Sequence, residues 1–309
     1  MKRLMLAGLL CLFQTVALKA LPLEGLGLRT NDVVAWVGSG TSVALAREGV
    51  LETLISGNRP DLHLRFRCLA WEGDTVFAQP REPNYPDLKE QLRAERATVV
   101  LVEFGLAESF EGPGRIPAFR EALSSFLDGL RREGLRVVLL TPTADVGTRS
   151  SAVESYASAI RNLAGEKSVP VLDLNAGVEA ARAPSGARIP SRIPSAPELA
   201  ARAAAAIRRF DAQARIPDTD PGGRFRDRDW EALRAAVADR NRLWKQASRP
   251  TNWAFLAGDR TDQRFSRDPV DPSKRTFPEE MKRFPPLLEA ADLAVVSLSQ
   301  RLPTEWNTR

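Results

Sequence analysis

Apolar residues recur along this chain in short blocks at two different spacings. Residues 31–37 (NDVVAWV) are a compact apolar run ending in Gly38-Ser39-Gly40, which predicts a strand entering a tight turn. Thr41 or Ser42 can cap a following helix, with Leu45, Leu51, Leu54 and Ile55 facing inward and Gly57 closing it. Residues 62–69 alternate: Leu62, Leu64, Phe66 and Cys68 point one way, and His63, Arg65 and Arg67 the other. That predicts a strand with one wetter face. Further strands are expected at 98–104, 136–141 and 169–174, and helices at 116–132, 151–164 and 196–210. Strands alternating with helices at this spacing imply a parallel sheet covered on both faces. Ligands of such sheets bind beyond the carboxyl ends of the strands. That directs attention to the loops at 38–42, 69–76, 105–112, 142–150 and 184–195.

The pattern changes after residue 213. Residues 216–226 (IPDTDPGGRFR) read as a linker. A helix is expected over 229–246, capped by Asp227 or Asp229, and another over 278–300 with a break at Pro285-Pro286. Between them, 249–276 is irregular but carries Trp253, Phe255 and Phe265. Its Trp253 and Phe255 are expected to be mostly buried against the α/β domain. The expected organisation is an export segment at 1–20, an α/β domain at 21–213 and a packed extension at 214–309.

Composition sharpens this picture. Lys2 and Arg3 precede an apolar stretch whose unbroken part is about 10 residues, against the roughly 20 needed to span a membrane. With Ala17 and Ala20 as cleavage positions this reads as a signal peptide, so the mature protein is expected to be periplasmic or extracellular and free of the membrane. Leu9 and Leu10 before Cys11 are not the small residues of a lipoprotein signal. Cleavage after Ala20 removes three bases and no acid, taking the formal charge from +5 to +5 − 3 = +2. No basic stripe with interleaved aromatics occurs, so nucleic acid is not an expected partner. One histidine and two cysteines across 309 residues argue against a zinc site of the His/Cys type, and no cofactor is expected. Gly38-Ser39-Gly40 opens like a dinucleotide turn, but Val43 stands where a third glycine belongs.

The strand-loop blocks carry a resemblance. Val37-Gly38-Ser39-Gly40, Leu69-Ala70-Trp71-Glu72-Gly73-Asp74-Thr75 and Phe104-Gly105-Leu106-Ala107-Glu108-Ser109-Phe110 together resemble three sequence blocks of the SGNH (GDSL-type) hydrolases. The tail, with Asn241-Arg242-Leu243-Trp244, Arg249-Pro250 and Asn252-Trp253, is similar to those of exported bacterial members. The resemblance implies a flavodoxin-like three-layer αβα sandwich, sheet order 2-1-3-4-5, and ester hydrolysis by a serine nucleophile. It places the nucleophile at Gly40, the oxyanion glycine at Gly73 and the oxyanion asparagine at Ala107. The Asp-x-x-His pair falls at Pro190 and Ile193 within Arg188–Ser195. Of these four types of functional residue only the glycine is retained.

Hydrolysis by this route needs a hydroxyl, a base, a group orienting the base, and oxyanion donors. Ser39, Thr41 and Ser42 are the hydroxyls beside the vacant position, with Ser39 and Ser42 as shifted nucleophile candidates and a helix-capping role as the simpler alternative. His63, the sole histidine, lies at the start of a strand and so at the edge opposite the loops. Asp74, Glu103 and Glu108 are the acids at the expected site edge. Asp74 and Glu108 are expected to bind loop N–H groups rather than a cation. Trp71 reads as core or as a sugar-stacking platform. Thr75 and Gly105 complete the expected pocket, with Gly73, Asp74, Ala107 and Glu108. The expected protein is thus a non-catalytic binding or scaffold member of an esterase family, taking a small-molecule, acyl-ester or carbohydrate ligand. The alternative is an exported carbohydrate esterase with a shifted site.

Overall fold

The computed structural model describes residues 23–143, 150–176 and 193–303. The export segment, residues 188–192 and most of the 142–150 loop lie outside them. Five strands form one all-parallel sheet: β1 (Val33–Gly38), β2 (Arg65–Cys68), β3 (Val99–Glu103), β4 (Arg136–Leu140) and β5 (Val171–Leu172), in the order β2-β1-β3-β4-β5. The register places Gly38 beside Glu103 and Glu103 beside Leu140, so three strand ends line up at the carboxyl edge.

Both faces of the sheet are apolar because its central strands are buried throughout. On one face Trp36, Leu101 and Val138 pack under α1 (Gly40–Glu48), α2 (Val50–Asn58) and α6 (Ala196–Phe210). On the other, Val37, Val102 and Leu139 pack under α3 (Leu88–Ala94), α4 (Ile116–Arg132) and α5 (Ser150–Lys167). Helix α3 was not apparent in the sequence; its seven residues follow the loop after β2, and Asp87 opens it with a capping box to Glu90. The single helix expected after β1 is two. Gly49, at φ 74°, ends α1 in the left-handed conformation and starts α2.

The extension continues the same core. Helix α7 (Arg228–Ser248), capped by Asp227, inserts Trp230, Leu233 and Val237 beside α1 and α2. Short α8 (Trp253–Leu256) and α9 (Thr276–Met281) lead to α10 (Phe284–Arg301), which packs on α7. Trp253 and Phe255 are half-buried, which corrects the expectation that both are mostly buried on the α/β domain. Trp253 does reach it, stacking edge-on to Tyr85 at 4.8 Å and donating to the Pro83 carbonyl at 2.9 Å. Phe255 packs within the tail, 4.7 Å from Phe265 and 6.2 Å from Phe277.

Strand β2 is an edge strand, and its open side is closed by the extension. Arg65 and Leu69 donate to Asp32 and Trp36, so residues 66, 68 and 70 direct their backbone groups outward. The Phe66 carbonyl accepts from Arg67 and Arg240, that of Cys68 from the Trp244 indole at 2.9 Å, and that of Ala70 from Arg249 at 3.3 Å. Arg67, expected on a wet face, is therefore buried, paired with Asp292 of α10 at 2.6 Å and Glu95 at 3.2 Å. Arg240 is buried with Glu52 and also meets Asp292, while Asn241 donates to Glu52 at 3.1 Å. Burial pushes the Glu52 carboxyl up, against the pull of Arg240. No described helix is long and apolar enough to cross a membrane.

Candidate functional site

Strand β1 delivers Gly38-Ser39-Gly40 to the carboxyl edge of the sheet. A side chain at Gly38, where φ is 154°, would lie 2.1 Å from the Glu103 carbonyl, so only glycine lets β1 and β3 approach here. Neither Thr41 nor Ser42 caps the helix. Helix α1 starts at Gly40 with Ser39 as its N-cap, and no side chain of its own segment bonds the first turn. The carboxylate of Glu103 does this instead. Its Oε2 accepts from the Ser39 and Ser42 amides at 3.3 and 3.2 Å, and from their hydroxyls at 3.1 and 3.3 Å. An anion is favoured there by the unbonded amides of the first turn. Burial nevertheless dominates: it pushes the Glu103 carboxyl up to about 7, opposed by the Ser39 bond and reinforced by the charge of Glu108.

The hydroxyls of Ser39 and Ser42 thus point into the protein, and both residues are buried. Gly40 has no side chain, and the space a Cβ would need is taken by Ile193. That Cβ would lie 2.6 Å from Ile193 Cδ1. The two positions that the family pattern assigns to nucleophile and base face one another across this contact. Thr41 is also buried, and its hydroxyl has no partner among the described residues.

The second and third blocks are held by Glu108, whose carboxylate accepts from the Val76 and Gly105 amides, each at 2.7 Å. Asp74 differs from its expected role. It binds Arg81 through both oxygens at 2.7 Å, a pair seven residues apart. Thr75 closes a small turn by accepting from the Ala78 amide at 3.0 Å. Gly73 faces open space, with nothing within 4 Å of where a Cβ would sit, while Ala107 is half-buried at the start of the next turn. Trp71 is half-buried and already engaged: Arg249 lies 3.9 Å and Arg81 4.7 Å from its ring centre, with Tyr85 edge-on at 5.3 Å. Glu72 pairs with Arg249 at 2.8 Å, fastening the tail to this loop. His63 is exposed on a turn before β2, bonded to Gln300, at the opposite edge of the sheet.

Sequence reasoning named Glu103 but missed that it gathers Ser39 and Ser42, because the bond spans 64 residues. Arg81 carried no signal in the sequence, and Arg249, legible only as part of the tail resemblance, gave no sign of its contact with Trp71. Among the described residues no cluster of three or more His, Cys, Asp or Glu side chains is placed to hold a metal ion.

No family model and no curated protein matches the sequence. The fold is similar to that of several solved structures. A lipolytic protein of the G-D-S-L family from Desulfitobacterium hafniense DCB-2 matches at 16% identity and TM-score 0.43, covering 58% of this chain and 99% of its own. An acetylxylan esterase from Geobacillus stearothermophilus matches at 16% identity and TM-score 0.43, covering 59% of this chain and 95% of its own. TesA matches at 19% identity and TM-score 0.41, covering 58% of this chain and 99% of its own.

Proposed function

We propose that this chain is an exported, SGNH-like protein that has lost serine-esterase chemistry. It acts as a binding or scaffold protein for a small-molecule, acyl-ester or carbohydrate ligand. The observation that carries this reading is the contact between Gly40 and Ile193. An attacking hydroxyl needs a base within hydrogen-bond reach. Here the two facing positions hold a glycine and a branched alkyl group, which can neither attack nor accept a proton. Ala107 has no side-chain amide to donate to an oxyanion, which leaves the Gly73 N–H as the retained donor of the pattern. Loss of a triad member typically lowers turnover by about 10⁴-fold or more, and here the whole unit is gone.

A second reading has one observation in its favour. The Ser39 hydroxyl donates to a carboxylate raised to about 7, a dyad that could in principle deprotonate a serine. Against it, the hydroxyl is directed inward and the residue is only 2% exposed.

One experiment separates the two. The mature protein is incubated with p-nitrophenyl acetate, acetylated xylan and a fluorophosphonate probe. The expected outcome is no turnover above background and no labelling. Labelling of Ser39 or Ser42 that disappears on its change to Ala would overturn the proposal in favour of a shifted nucleophile.

A further inference from the structure

The connections into β2, β3, β4 and β5 each run from a helix C-terminus, so the amino ends of the strands and the ends of those helices share one edge of the sheet, opposite Gly40. Contacts between distant segments bind that edge into one surface. Gln300, near the end of α10, meets His63 before β2 at 2.8 Å. Arg131 at the end of α4 donates to the Lys167 carbonyl at the end of α5, at 2.8 Å. Arg93 at the end of α3 pairs with Glu133 at 2.6 Å, and Arg136 at the start of β4 donates to the Gly27 carbonyl.

Bases at helix ends are favoured by the helix dipole, so their presence alone implies no partner. The distinguishing feature is the shortage of acids beside them. Arg29 precedes β1, Arg65 starts β2 and Arg96 precedes β3. Arg132, Arg208, Arg209 and Arg301 lie in the last turns of α4, α6 and α10. All seven are exposed, and none has a carboxylate partner among the described residues. The acids of the same edge are mostly engaged: Asp32 with Arg136, Asp61 with Arg59, and Glu133 with Lys89 and Arg93. Glu24 and Asp211 remain without a cation among the described residues. Seven bases against two acids leave +5 on this edge, while the whole mature chain carries +2, so everything else together is net negative.

Two observations indicate what such an edge meets. None of the exposed large apolar side chains lies on it; they belong to the loops of the opposite edge, the tail and the earlier turns of α10. Contact there is electrostatic and superficial, with no exposed Phe, Tyr or Trp ring to stack on a sugar. The second observation is where the chain enters the fold. The Leu23 amide is held on this edge by Asp211 at 2.6 Å, and the expected export segment ends three residues earlier, at Ala20. A segment that enters a bilayer during export therefore delivers this edge to the membrane surface first.

We propose that the amino edge of the sheet is a docking surface for the anionic headgroups of a phospholipid bilayer, held by its unpaired arginines. The contact is peripheral, since no described helix can cross a membrane, and it revises the expectation of a mature chain free of the membrane. It takes from the proposed function only the export of the protein. Docked this way, the chain turns its carboxyl edge away from the bilayer and leaves that edge open to ligand.

The test is co-sedimentation of the chain from residue 21 onward with vesicles of phosphatidylcholine, alone or with about 30% phosphatidylglycerol, at about 0.05 M and 0.5 M salt. Binding is expected only to the anionic vesicles and is expected to be lost at the higher salt. Arg132→Gln combined with Arg209→Gln is expected to weaken it roughly 25-fold, at about fivefold for each base near an anionic surface. Arg264→Gln combined with Arg283→Gln removes the same charge from the tail and the start of α10, and is expected to change binding less than about twofold. All four positions are exposed, so thermal melts should show intact folding. Absent binding, equal binding to neutral vesicles, retention at high salt, or equal losses in the two double variants overturns the proposal. So does binding to polygalacturonate without binding to anionic vesicles, because the edge then serves an acidic polysaccharide. Esterase and probe-labelling assays read the opposite edge, so either reading can fail without the other.

Discussion

Gly40 and Ile193 share one small volume, and each accounts for the other. Glycine leaves room for an isoleucine side chain, and the isoleucine, 37% exposed, covers what would otherwise be an open backbone turn. Beneath them Glu103 holds Ser39 and Ser42 at a cost that depends on pH. Its carboxyl is raised from 4.5 to about 7 by burial, so the folded state binds the proton more tightly than the unfolded chain. The sign follows directly. This contribution is most favourable below about 4.5 and is lost as pH rises through about 7, by roughly 3 kcal/mol in all. Glu103→Gln is expected to flatten that dependence. In urea melts the variant should compare better with the parent at pH 8 than at pH 5. An equal difference at both values would show that Glu103 is ionised throughout.

At the scale of elements, local rules account for most boundaries and long-range contacts for the exceptions. Gly49 is a clear case, since it divides one apolar period into α1 and α2 by adopting φ 74° against α7. A Cβ there would lie 3.0 Å from Val237 and 3.2 Å from the Arg234 carbonyl. Gly49→Ala is expected to lower stability by roughly 1–3 kcal/mol, combining left-handed strain with a clash at the α7 interface. Chemical denaturation measures it; a stabilised variant would mean that the two helices merge without loss. The alternation in β2 shows the opposite case. Its period was legible, but Arg67 is buried because Asp292 and Glu95 come to it from elements distant in sequence. No local pattern distinguishes a solvated arginine from one that will meet two acids.

For the molecule as a whole, the extension and the α/β domain share a core and a buried ion network. Arg240 and Glu52 are each 1% exposed, and Asp292 brings α10 into the same network. Arg240→Met leaves the Glu52 carboxylate without its cation and is expected to cost roughly 3–5 kcal/mol. Adding Glu52→Gln should recover much of that in the same urea melts, because the stranded charge is then absent. Ending the chain after residue 213 removes Arg240, Trp244 and Arg249, which cap the outer carbonyls of Phe66, Cys68 and Ala70, and leaves only Arg67 on the Phe66 carbonyl; it also uncovers the Trp230 side of the core. Such a fragment is expected to aggregate through its open edge rather than to persist as a soluble monomer in gel filtration.

The alternation of apolar strands with amphipathic helices determined a parallel, doubly covered sheet, because burial on both faces forces that pattern on any sequence that adopts it. The three loop blocks carried the family resemblance, and absent side chains at Gly40 and Ala107 were readable because composition records what is missing as plainly as what is present. Tertiary structure alone decided what fills those gaps and where else the protein is hollow. Ile193 meets Gly40 from a distance of 153 positions, 193 − 40. Arg249 reaches Trp71, and a cavity lies along β2 among α3, α7 and α10. Such contacts depend on how packed elements meet in space, and side-chain packing at long sequence separation leaves no period or spacing to read.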